Sequence, residues 1–128
     1  MFAAGRVAYR IDHCRDGTTN TLLLGEQLPA YAPHFMYFHS ALNTGSTNPP
    51  PNYLKIAPIE CPHRIGPYDP SLPHCQGELV GFNSKHPGGV NMALVDGSVR
   101  FISDAIDYTV WQYLGMRSSG QVIDGSQF

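Results

Sequence analysis

The sequence predicts an α+β domain built mainly from antiparallel strands, with a short C-terminal helix and long irregular loops. The 128-residue chain has room for one domain, spanning residues 1–128. It carries 13 Gly and 11 Pro, so its regular elements must be short. Asp96-Gly97 lies between two apolar segments, which is typical of a hairpin turn. The longest stretch free of Gly and Pro, residues 98–114, leaves room for only one short helix after the hairpin.

A first strand is predicted at residues 21–26, directly after a turn-forming cluster. The cluster is Asp-Gly-Thr-Thr-Asn at 16–20, and Asp and Asn favour turns by bonding their own backbone. The apolar run TLLLGE that follows fits a buried strand, because Gly25 and Pro29 leave little room for a helix. Repeated prolines predict that residues 29–75 are irregular, and 31–42 could be strand or short helix.

The segment 90–102 predicts a β-hairpin. Its strands are 90–95 and 98–102, joined by a two-residue type I′ turn in which both Asp96 and Gly97 have positive φ. Alternation along the return strand predicts that Val99 and Phe101 face the core and that Arg100 faces solvent. Ile102 breaks this alternation and is expected at the strand end.

A short helix is predicted at residues 108–114. Asp107 is a good N-cap, and Gly115 suits a helix C-terminus. Trp111 is most simply a core anchor on the apolar face of this helix. Residues 121–123 are predicted to form a last short strand.

Charge and hydropathy argue against nucleic-acid and membrane partners. The net charge is −2 and the eight basic residues are scattered, so no basic stripe could neutralise phosphates. No run of about 18 apolar residues is present, so the chain itself is not expected to contact a membrane. The N-terminal residues lack an apolar core of signal-peptide length. Either the protein is cytosolic, or Met1 is not the natural start.

Several metal sites and thiol pairings remain open. Cys61 and Cys75 enclose a segment rich in Pro and Gly, and a disulfide there would contribute roughly 3 kcal/mol. Together with His63 and His74 they could instead bind zinc, although the ligand spacing is unlike that of a zinc finger, or they could be free thiols. Cys14 is either free or paired outside the chain. Calcium ligands could come from an acidic and amide set without an EF-type loop: Asp12, Asp16, Asn20 and Glu26.

No enzyme signature is present. The sequence lacks a G-x-S-x-G elbow, a P-loop, an H-E-x-x-H pair and a dinucleotide-binding fingerprint. We therefore expect no catalytic residues, no cofactor and no small-molecule substrate, although a convergent Ser-His-Asp triad stays open. His86 and Asp96 should lie at opposite ends of a strand, up to about 30 Å apart, so a shared metal or a catalytic dyad is not expected.

Three segments together resemble a known family. Residues 85–97, KHPGGVNMALVDG, have nine residues between His86 and Asp96-Gly97. With DGTTNTLLLGE at 16–26 and DYTVWQYLG at 107–115, the chain resembles the planctomycete-type, pilin-like proteins described as prepilin-type processing-associated H-X9-DG proteins. The matching motif positions are Asp16, Gly17, Asn20, Gly25, Glu26, His86, Gly88, Gly89, Asp96, Gly97 and Trp111.

The resemblance implies a pilin-like C-terminal domain, without the long N-terminal hydrophobic helix of full-length members. It implies a non-enzymatic structural and interaction role in the cell envelope, in the periplasm or at the cell surface. Other pilin-like subunits or envelope components would be the partners. Such an extracytoplasmic address favours the disulfide between Cys61 and Cys75.

Two other functions are kept open by particular residues. A stand-alone secreted ligand-binding module is the main alternative, because the loop region carries aromatic rings that suit sugar faces: Tyr31, Tyr37, Tyr53 and Tyr68. A metal-dependent hydrolase would require zinc bound by the Cys and His set described above.

Overall fold

The computed structural model describes residues 9–28, 45–53 and 81–128. Its centre is a three-stranded antiparallel sheet in the order β1-β2-β3, followed by one short helix. This architecture confirms the predicted α+β class. The elements are β1 (Leu22–Gly25), β2 (Gly89–Leu94), β3 (Val99–Ser103) and α1 (Tyr108–Leu114), with single 3-10 turns at Ile11–His13, Thr18–Asn20 and Gly125–Gln127. Of the irregular region predicted for 29–75, only 45–53 is described, and it consists of bends and turns.

The core lies on one face of the sheet, against α1. Alternate residues of the central strand β2 point into it, as the period of two requires. Trp111 and Leu114 of α1 cover this face, and the Phe82 ring meets Trp111 edge to face at 5.9 Å. Among the described residues, the fully buried apolar side chains are Pro49, Val90, Met92, Leu94, Ile102, Trp111 and Leu114.

The facing of β3 is opposite to the prediction. Paired residues of antiparallel strands point to the same face, and Val90 pairs with Ile102. Ile102 is therefore buried in the core, whereas Val99 is 67% and Phe101 is 50% exposed. The prediction was wrong because an apolar residue lies on each face of β3, and the partner strand decides which face is buried.

The hairpin is present, but its loop is longer than predicted. The Leu94 N–H donates to the Ser98 carbonyl at 2.9 Å, and the Gly97 N–H donates to the Leu94 carbonyl at 3.0 Å. Of the two residues predicted to have positive φ, Gly97 has a φ of +88°, and Asp96 does not have a positive φ. The prediction of a two-residue type I′ turn is therefore wrong, because residues 95–97 form a three-residue loop. This loop needs a left-handed conformation only at glycine, which avoids the cost of placing Asp there.

The helix has the predicted bounds. The Asp107 carboxylate accepts the Thr109 N–H at 2.9 Å and the Val110 N–H at 3.0 Å, which caps the first turn. Gly115 follows with a right-handed φ of −76°, not the left-handed value of many C-terminal glycines. A Cβ there would lie 2.1 Å from Thr47 Oγ1, so close packing requires the glycine.

The final strand predicted at residues 121–123 is absent. These residues join no sheet; Ile123 is buried against the core and Val122 is 97% exposed. The Asn20 side-chain amide donates to the Ile123 carbonyl at 3.3 Å and holds the segment in place. Among the residues that the structure describes, no helix has the length and apolar character needed to cross a bilayer.

Candidate functional site

The two main motif segments contact each other at the hairpin loop. The Asp96 N–H donates to the Thr18 carbonyl at 3.1 Å, and the Val95 N–H donates to the Thr21 carbonyl at 2.9 Å. The Thr21 hydroxyl donates back to the carbonyl of Gly17 at 2.9 Å, and Gly17 has a φ of +94°. The DGTTN turn and the DG loop are therefore held together by backbone hydrogen bonds.

The Asp96 carboxylate shapes its own loop. Its Oδ1 accepts the Ser98 hydroxyl at 2.7 Å and the Ser98 N–H at 2.8 Å. These bonds hold the pKa of Asp96 below its usual value, with the side-chain bond as the larger cause. Around Gly97 there is open space, because a Cβ there would meet no atom within 4 Å. Backbone conformation alone therefore favours glycine at this position.

At the opposite end of β1 and β2, Glu26 joins the same two segments. Its Oε2 accepts the Asn91 N–H at 2.8 Å, while its own N–H donates to the Asn91 carbonyl at 3.3 Å. Its Oε1 lies 3.1 Å from His86 Nε2 and 3.3 Å from Asn91 Nδ2. The Glu26 side chain thus continues the ladder where β1 ends and contacts the histidine of the H-X9-DG motif.

The charge of Glu26 is favoured by these contacts. Partial burial alone would raise the pKa of its carboxyl group, but the Asn91 hydrogen bonds and the nearby His86 outweigh that effect. The net pKa lies below the usual value for glutamic acid. The His86 ring is half exposed and lies edge to face with Phe101 at 6.5 Å.

The nine-residue spacing of the motif spans β2. His86 precedes the strand and Asp96 follows it, so the two side chains lie at opposite ends of β2. Each contacts the DGTTNTLLLGE segment: His86 contacts Glu26, and the backbone of Asp96 contacts Thr18. The two motifs therefore form one hydrogen-bonded unit, closed at both ends of the β1–β2 pair.

The loop that carries His86 is fixed by residues that sequence reasoning missed. Asn52 is buried, with a φ of +56°, and its Nδ2 donates to the Gly89 carbonyl at 3.0 Å and to Asp104 Oδ1 at 2.6 Å. Its Oδ1 accepts the Ser84 N–H at 2.8 Å. The Ser84 hydroxyl donates to the Gly89 carbonyl at 2.8 Å and accepts the His86 N–H at 3.1 Å.

The residue types in this region could have indicated an unusual backbone, although not the contacts themselves. Asn is the residue other than glycine that most readily adopts positive φ, and Asn52 follows a proline run. Gly88 has a φ of +82°, and a Cβ on Gly89 would lie 2.2 Å from the Ile102 carbonyl oxygen. A Cβ on Gly25 would lie 2.3 Å from Met92 Sδ. The contacts of Asn52 with Gly89 and Asp104 are long-range, and no local pattern predicts them.

Asp16 and Asn20 hold the C-terminal segment. The Asp16 carboxylate accepts the Ser119 N–H and, at 2.9 Å, the Gly120 N–H. Burial alone would raise the pKa of this carboxyl group, but the backbone bonds from Ser119 and Gly120 outweigh it, and the net pKa is lowered. Asp16 and Glu26 are thus engaged with different partners, so the structure does not join them into the calcium site considered above.

The remaining metal and thiol candidates are only partly described. Cys61, His63, His74 and Cys75 lie outside the described residues, and so do Tyr31, Tyr37 and Tyr68. Cys14 is buried and unpaired. Within residues 9–28, 45–53 and 81–128, no group of three or more His, Cys, Asp or Glu side chains could hold a metal ion.

The fold and the motif contacts define a class: a small α+β domain in which the motif residues hold two segments together. The chain belongs to the family described as "Protein of unknown function (DUF1559)", which matches residues 1–109. The match includes both the 16–26 and the 85–97 segments. Comparisons with curated proteins and with solved structures find no match.

Proposed function

We propose that the chain is a non-enzymatic structural and interaction domain of a pilin-like protein of the cell envelope. The observation that carries this proposal is that the motif carboxylates accept hydrogen bonds from backbone N–H groups. Asp16, Glu26 and Asp96 each accept at least one backbone N–H, and each has a lowered pKa. A carboxylate in this state is a weak base, and a general base works best with a pKa near the operating pH. The motif side chains therefore serve the fold.

The outer face of the sheet supports an interaction role. Leu24 pairs with Ala93, and Ala93 pairs with Val99, so these three side chains form one row across the strands. Leu24 is 58% exposed, and Val99 and Phe101 are at least half exposed. Exposed apolar groups that lie together on one face are typical of a contact surface. In the pilin-like proposal, an apolar helix of the same protein packs on this row.

Location and partners follow from the same proposal. The domain would lie outside the cytoplasm and contact other pilin-like subunits or envelope components. In that oxidising environment Cys61 and Cys75 would form a disulfide. Mass spectrometry of the non-reduced, proteolysed protein would detect the linked peptides, and free thiols at both positions would argue against an extracytoplasmic address.

The decisive experiment is the intact mass and cell fraction of the native protein. An antibody raised against the chain would capture the protein from envelope and soluble fractions of the cells that produce it. We expect an envelope-bound species heavier than the 14.1 kDa chain. A soluble 14.1 kDa species would contradict the proposal and would favour a stand-alone ligand-binding module. Glycan binding would then be the next measurement.

A further inference from the structure

The outer edge of β3 presents unpaired backbone groups. In the order β1-β2-β3, β3 has only one neighbouring strand among the described residues. Leu94 and Ser98 form a hydrogen-bonded pair, so in the alternating antiparallel pattern Arg100 and Ile102 also bond to β2. The N–H and C=O groups of Val99 and Phe101 therefore point to the open edge, and they have no partner among the described residues.

Within the part of the chain that the structure describes, β3 lacks the usual protections of an edge strand. Proteins block such edges with proline, lysine, β-bulges or a covering segment. β3 has the sequence VRFIS, and its register with β2 is unbroken from Gly89–Ser103 to Ala93–Val99. Its single charge, Arg100, is directed to the C-terminus, with Nη1 donating to the Gly125 carbonyl at 3.1 Å. The guanidinium also lies 4.8 Å from the centre of the Phe128 ring.

We propose that β3 pairs antiparallel with β3 of a second copy of this chain, about a two-fold axis at Phe101. Phe101 is the middle residue of β3, so this register pairs the whole strand with itself. The two Phe101 residues then exchange backbone hydrogen bonds and stack their exposed side chains on one face. Val99 lies opposite Ser103 of the second copy, and the two sheets become one continuous sheet.

Charge disfavours the neighbouring register that is centred on Arg100. A two-fold axis at Arg100 would place two guanidinium groups directly opposite each other, which is destabilising. The axis at Phe101 places Arg100 opposite the apolar Ile102 of the second copy instead. The contact is isologous, so it closes as a dimer and does not propagate into a fibre.

The pairing does not rest on the proposed envelope role, because it concerns only the 128-residue chain. Sedimentation velocity over a concentration series should show a monomer–dimer equilibrium for the natural sequence. Phe101→Lys and Phe101→Glu should each weaken the dimer at least about tenfold, because each places like charges opposite each other and removes the aromatic pair. An equimolar mixture of the two variants should restore dimerisation, because Lys then lies opposite Glu.

Leu24→Lys is the matched control. Leu24 is exposed on the same face of the sheet but belongs to β1, so its substitution should leave the dimer unchanged. Far-UV circular dichroism would establish that all variants are folded. A natural chain that stays monomeric at every concentration would overturn the proposal. So would a mixture of folded Lys and Glu variants that does not associate, or an equal loss of dimer in Leu24→Lys. None of these results would affect the proposed envelope role, which the cell-fraction experiment tests.

Discussion

Replacing Trp111 tests the core of the domain most directly. The ring is fully buried on α1 against the inner face of the sheet, and its Nε1–H donates to the Pro49 carbonyl at 2.8 Å. Trp111→Ala would remove the ring and leave a cavity, which costs about 3–5 kcal/mol in comparable cores. It would also leave the Pro49 carbonyl without its donor, at a cost of about 1 kcal/mol or more. The sum approaches the total stability of a small domain, about 5–15 kcal/mol.

Trp111→Phe separates these two contributions. Phenylalanine keeps most of the apolar ring and its contact with Phe82, but it cannot donate to the Pro49 carbonyl. We expect a loss of about 1–3 kcal/mol, mainly from the unsatisfied buried carbonyl. Urea unfolding followed by far-UV circular dichroism would give both values, because Trp111 is the only tryptophan and its fluorescence is lost in the variants. A loss below about 1 kcal/mol for Trp111→Ala would refute the assignment of this ring to the core.

Three further predictions concern the motif residues. Gly97→Ala should lower the free energy of unfolding by about 1–2 kcal/mol, because Gly97 has a φ of +88°. Gly97→Asn should lower it by less, and equal losses of the two variants in urea unfolding would contradict the left-handed conformation of Gly97. Gly89→Ala should destabilise the fold more than Gly97→Ala, because a Cβ on Gly89 would lie 2.2 Å from a backbone carbonyl oxygen. A smaller loss of unfolding free energy than in Gly97→Ala would mean that β2 and β3 can separate at this position. The pKa of Glu26 in the folded protein lies below its value of about 4.3 in the unfolded chain. The ionised Glu26 therefore contributes fully to stability above the unfolded pKa, and this contribution is lost as the pH falls through the folded pKa. The stability of the natural chain should therefore fall more steeply than that of Glu26→Gln between about pH 5 and pH 3, and parallel curves would show that the Glu26 charge does not contribute.

Local signals predicted the helix and the existence of the hairpin. Asp107 is a strong N-cap with an apolar face behind it, and the observed bounds of α1 agree with the prediction. The Asp96-Gly97 pair predicted a reversal of the chain at that point, and the structure has one. The loop type was missed because Asp-Gly suits both a two-residue loop and the end of a three-residue loop, and the Leu94–Ser98 pairing decides between them.

Features that depend on long-range packing were not predictable. The facing of Val99 and Phe101 is set by the register with β2, and the five residues of β3 contain no information about that register. The contact between Glu26 and His86 joins residues 60 positions apart. Sequence patterns identified both residues as motif members but gave no reason to place them together. Asn52 lies within the region 29–75 that was predicted only to be irregular, and no local pattern indicated that it is buried beneath the loop of His86.

The contacts at both ends of β2 turn the nine-residue spacing into a length constraint. Deleting or inserting one residue between His86 and Asp96 would turn the core-facing side chains of β2 toward solvent at one end, because the period of a strand is two. Deleting or inserting two residues would keep the core-facing side chains of β2 directed into the core. It would, however, move either His86 away from Glu26 or Asp96 away from Thr18 by about 7 Å. Indels within this segment should therefore be far less tolerated than apolar substitutions. Searches for distant relatives should accordingly fix the interval and allow the intervening residues to vary.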